Sequence, residues 1–173
     1  MTENIHRGFV SEFIYIMRLL TIFTAERINL QHVLYFTAFL AFGIGDGITA
    51  AFMMDKSGIG IEVNPIAGFL FMTQGFYGFV IAKIWLTFAL LLGTHILQLR
   101  SPGYWTINGF LIALTSIGLM AVKANLTATA GGIPESPGTI IFTYLVLTLV
   151  LIEVGSLIDE HKARTAGYYS ETV

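Results

Sequence analysis

The stretch GIGDGITAAFMMDKSGIGIEVNPIAGF, residues 43–69, decides how the chain is read. Asp46 stands inside an otherwise apolar run. Glu62 follows, then Asn64-Pro65, and then the apolar residues resume. Asp55, beside Lys56, reads as ordinary loop. The two other carboxylates need a reason to lie so close to long hydrophobic runs.

The rest of the chain supplies the setting. Of its 173 residues, 55% are hydrophobic and 12% charged, with mean hydropathy +0.75. Soluble domains carry about 25% charged residues. A surface with half that charge is not mostly water-facing, so the composition points to a membrane protein. The absence of cysteine excludes disulfides and thiolate metal sites. A net charge of −2 without a basic block makes nucleic acid an unexpected partner. The opening MTENIHRGF has no clear basic region and no small-residue cleavage site after it, so a cleaved signal is not expected.

An apolar helix needs about 20 residues to cross some 30 Å of hydrocarbon. Segments 30–54, 76–97, 104–128 and 139–158 meet that length. Each holds one ionisable residue well inside it: Asp46, Lys83, Lys123 and Glu153. Residues 1–28 differ. Arg7, Ser11 and Arg18 share one stripe at helical spacing, away from Phe9, Phe13, Ile16, Leu20 and Phe23. This pattern predicts an amphipathic helix lying in the interface; the alternative is a fifth span with Arg18 buried. The expected architecture is therefore all-α. It has an N-terminal interfacial helix over 1–28, a four-helix transmembrane domain over 29–160 and a polar tail over 161–173.

Lys and Arg in short loops set orientation. Arg7, Arg18, Arg27, Arg100, Lys162 and Arg164 would share one side, against Lys56 alone on the other. That predicts a multi-pass protein with both termini cytoplasmic. Residues 43–69 then lie at the outer end of the first span and in the first outer loop. Lys83, Lys123 and Asn125 fall at a similar depth. Glu153 lies towards the cytoplasmic end, where its side chain can snorkel.

Asn64-Pro65 carries a helix-start signal, with Asn as N-cap and Pro at the first helical position. One straight helix from there to Leu97 would be about 50 Å long, too long without strong tilt. The expectation is a short helix after Asn64-Pro65, a break at Gly75, and then the span; the alternative is that Asn-Pro only ends a loop. The second outer loop, LTATAGGIPESPGTIIF, resembles the first: Gly-Ile, an acid, a small polar residue and Pro. Ser136-Pro137 would cap the fourth helix as Asn64-Pro65 caps its own. The likeness fits a parallel repeat or shared turn chemistry.

A charged side chain at the bilayer centre costs on the order of 3 kcal/mol or more unless paired or hydrated. Asp46 can pair with Lys83, and Glu62 with Lys123. Asp46, Thr49, Glu62, Asn64, Lys83, Lys123 and Asn125 are the candidate members of an outward polar cluster. Gly43, Gly45 and Gly47 beside Asp46 allow either close helix packing or local unwinding. The cluster has two readings. It fixes helix packing in a structural or accessory subunit, as an oligomer or part of a larger membrane complex; or it binds or transports a proton, a cation or a lipid headgroup. An intramembrane enzyme acting on lipid is a third. No HExxH, GxSxG or cysteine nucleophile occurs, and His6, His32, His95 and His161 are scattered. No catalytic residue, metal or cofactor is expected.

The pattern Asp46-x-x-Thr49, Glu62-x-Asn64-Pro65, Lys83 and Asn125, carried by residues 30–128, resembles a family of small prokaryotic four-helix membrane proteins of unknown function. The resemblance implies a shared polar site and supplies no activity.

Overall fold

The computed structural model describes residues 29–100 and 103–166. The expected interfacial helix over 1–28 lies outside them. The described residues are helical, without strands. Among the described residues, four helices are long and apolar enough to cross a membrane: α1 (Leu30–Ser57), α2 (Pro65–Arg100), α3 (Tyr104–Thr129) and α4 (Pro137–Thr165).

Helix starts follow the polar residues that precede them. The Asn29 side chain accepts the His32 N–H at 3.0 Å. Asn64 Oδ1 accepts the N–H groups of Ile66 at 3.0 Å and Ala67 at 3.4 Å, with Pro65 first in the helix. Ser136 Oγ accepts the Thr139 N–H at 3.1 Å ahead of Pro137. Each cap takes up an N–H that the helix itself leaves unpaired.

α2 is two helices joined at Gly75, whose φ of 66° and ψ of −171° are non-helical. The first, residues 65–74, packs Ala67, Leu70 and Phe71 on a core of Ala50, Ala51, Met53, Met54, Phe79 and Ala128. That backbone conformation is essentially open only to glycine. α4 differs from expectation at both ends, starting at Pro137 and continuing to Thr165. Residues 161–165, expected in a polar tail, are helical; an Arg164–Glu160 pair one turn apart lies in this last stretch.

α1 is not uniformly wound. Residues Phe39–Gly45 form a π-helical segment ending immediately before Asp46. Wide turns of this kind inside α-helices commonly mark functional positions. The glycines beside Asp46 serve close packing. A Cβ on Gly43 would meet Thr87 at 3.2 Å, and one on Gly47 would meet the Lys83 stem at 3.2 Å.

α3 is the central helix, packing on α1 and α4. Glycines permit the approach: a Cβ on Gly118 would lie 2.6 Å from the Phe42 backbone nitrogen, and one on Gly155 would run into the Trp105 carbonyl. Asp159 of α4 completes the α3 start. Its carboxylate accepts the Trp105 N–H at 3.0 Å and the Thr106 N–H and hydroxyl at 2.9 Å each.

Gly155→Ala pushes a methyl into the α3 backbone and is expected to cost about 1–3 kcal/mol, the range for overpacking. Gly93 has open space where its Cβ would be, so Gly93→Ala should be neutral or stabilise by up to about 1 kcal/mol. Detergent-denaturation curves of the purified variants measure both.

Candidate polar cavity

Among the described residues Asp46 is the buried charge, 7% exposed. Lys83 Nζ of α2 lies 2.8 Å from its Oδ2. Asn125 Nδ2 of α3 donates to its Oδ1 at 3.0 Å and lies 3.2 Å from Thr49 Oγ1. The Thr49 hydroxyl donates to the Gly45 carbonyl at 2.8 Å, across the end of the π-helical segment. The Lys83 ammonium also stands 4.7 Å from the centre of the Phe42 ring. One carboxylate therefore ties α1, α2 and α3 together, with both oxygens engaged. The expected Asp46–Lys83 pair is formed, and Asn125 and Thr49 complete it.

The other expected pair is not. Lys123 Nζ meets Glu135 at 2.9 Å, and this pair is far more exposed than Asp46–Lys83, with the lysine side chain 73% accessible. Glu62 turns back on its own loop, where Oε1 accepts the Asn64 N–H at 2.8 Å. The physical reason is reach. Glu62 is taken up by its own turn, whereas Glu135, twelve positions after Lys123 on the following loop, comes within contact of it. Lys123 thus touches the site only through Glu135, which the sequence reading did not single out. Its signal was present in the loop likeness, where Glu135 occupies the place of Glu62 before a capped Pro.

Beside the Asp46 network lies a half-open cavity of about 510 Å³. Asp46, Lys83 and Asn125 lie on one side of it; the two loops contribute Glu62, Asn64, Pro65, Pro134, Glu135 and Pro137. Ala50, Met53, Phe79, Ala124, Ile140 and Ile141 make its apolar walls. Of the seven expected cluster residues, Asp46, Glu62, Asn64, Lys83 and Asn125 line the cavity; Thr49 bonds to Asn125 behind it, and Lys123 holds Glu135 at its edge. Glu153 stands apart, exposed on α4. Among the described residues no group of His, Cys, Asp and Glu has an arrangement that could hold a metal ion.

Residues 37–131 match DUF5658, a domain of unknown function. The chain belongs to the DUF5658 family. The DUF5658 segment contains Asp46, Thr49, Glu62, Asn64, Lys83, Lys123 and Asn125, and stops before Glu135 and α4. No curated protein and no solved structure matched the chain.

Removing one member of a buried ion pair leaves the other uncompensated, at about 3–5 kcal/mol. Asp46→Asn and Lys83→Met should each destabilise by that order. The double variant should recover most of the loss, since an asparagine at 46 can still bond Asn125. Glu135→Gln should change stability by less than about 1 kcal/mol, as exposed pairs contribute little. A double-mutant cycle on detergent-purified protein measures the coupling.

Proposed function

We propose that this DUF5658 protein is a small multi-pass membrane protein whose outward-facing cavity binds a small ligand. α1 to α4 cross the bilayer with both termini cytoplasmic. The short helix 65–74 lies near the outer interface. The single observation that carries the reading is the cavity of about 510 Å³ beside a fully engaged Asp46–Lys83–Asn125 network. A network serving packing alone would be closed over by side chains. Here polar groups converge on open space of ligand size, with apolar walls around them.

The same network favours a structural role as well, because Asp46 joins three helices and leaves neither oxygen free. The two roles are compatible: the ion pair fixes the helices, and the loops with their carboxylates make the site. Binding rather than transport is the narrower reading. Assembly into an oligomer or a larger complex is not required by the exposed apolar residues of α2 and α4, such as Ile81, Trp85, Phe142 and Leu149. Lipid covers them equally well.

The chain has no cysteine, so single-cysteine variants report access without background. Ala124→Cys, on the cavity wall, should react with a charged, membrane-impermeant thiol reagent added outside intact cells. Leu149→Cys, on the exposed apolar face of α4, should not. If Ala124→Cys stays unreactive from outside while it reacts in detergent, the outward cavity is wrong.

A further inference from the structure

The gap beside α4 and the unused acceptors of the two loops together point to a class of ligand. We infer that the cavity takes a membrane-resident amphiphile, with a cationic ammonium head at the loops and a hydrocarbon tail leaving between α2 and α4. This rests on the binding reading above and deepens it.

The head follows from which groups are already used. Lining the cavity are three carboxylates, Asp46, Glu62 and Glu135, and one ammonium, Lys83; Lys123 at the edge pairs with Glu135, which leaves Glu62 as the carboxylate without a cation. Asp46 and Lys83 satisfy each other. Glu62 and Glu135 each engage Oε1 only, with the Asn64 N–H and with Lys123. Their second oxygens make no hydrogen bond among the described residues and stay available as acceptors. The helix starts offer an anion little, because Asn64 and Ser136 already hold N–H groups at the ends of α2 and α4, and the Lys83 ammonium is drawn to Asp46. What is left is acceptor capacity and net negative charge, which a multi-donor cation satisfies. A bare metal ion is a poorer fit, because the carboxylates do not converge as a ligand set.

The tail follows from packing. α4 packs on α3 and leaves its α2 side unfilled. The cavity occupies that gap, with Ala67 and Phe79 of α2 on one wall and Ile140 and Ile141 of α4 on the other. Ile141 is 57% exposed, so the wall runs out onto the apolar face of α4 rather than closing. A small hydrophilic cation has no use for such walls. An alkyl chain lying along them exchanges one hydrocarbon contact for another, while the head gains charge-assisted hydrogen bonds to the loop carboxylates.

The test uses the full chain as the Ala124→Cys variant in a mild non-ionic detergent, with dodecylamine as probe below its micellar concentration. Dodecylamine should slow cysteine modification several-fold and raise the unfolding temperature by several degrees. Butylamine, which has the head without the tail, and dodecanoate, which has the tail with the opposite charge, should do neither. Glu62→Gln with Glu135→Gln keeps the Oε1 acceptors, so the protein should fold; its response to dodecylamine should be lost. An equal response to dodecanoate overturns the cationic head, and an equal response to butylamine overturns the tail. A response retained by the double glutamine variant overturns the assigned carboxylates. If no amine protects a cysteine that water-soluble reagent still reaches from outside, the amphiphile is wrong and the binding cavity stands. If the reagent does not reach it, both fail.

Discussion

Everything at the polar end of the bundle depends on satisfying one buried carboxylate. Asp46 sits where a charge is stable only with close partners of opposite or complementary polarity. Lys83 and Asn125 meet that need from two other helices. The demand propagates outward. For Lys83 to reach Asp46, its stem must lie against α1, and Gly47 leaves the space. For Asn125 to reach the other oxygen, α3 must come close to α1, and Gly118 permits contact with the Phe42 backbone. The small residues are thus the geometric condition for the ion pair, and the ion pair fixes which faces they bring together.

The second constraint is that helix ends must be capped, and here the caps also build the site. Asn64 and Ser136 start α2 and α4, each just after a glutamate, Glu62 and Glu135, that faces the same cavity. The two loops contribute equivalent chemistry from opposite walls. Only the first lies within the DUF5658 segment, which ends at residue 131. The second arrives with α4, a helix buried against little besides α3 and exposed along most of its length.

Much of this was legible in the chain. The four apolar helices, the caps at Asn64-Pro65 and Ser136-Pro137, and the break at Gly75 follow from local rules of length, capping and backbone freedom. The Asp46–Lys83 pair was legible because two opposite charges at similar depth on adjacent helices have few other partners. The exchange of Glu62 for Glu135 as the partner of Lys123 was not. It depends on where two loops come to lie, and no periodicity encodes that. The π-helical turn of α1 was only half legible: Gly43 and Gly45 allow local unwinding, but nothing in FLAFGIG fixes a wide turn. The Asp159 cap on α3 reaches across more than fifty positions, and no local pattern marks it.

The sequence by itself determined what each segment is. Hydrophobic length, cap residues and a charge count act over a few residues to a few turns, so they can be read along the chain. The tertiary structure alone decided which polar group meets which. That choice turns on helix rotation and close approach, set by glycines and one wide turn acting on several helices at once. It left Asp46 fully engaged, placed the glutamates of two separate loops around one cavity, and kept the α2 side of α4 open.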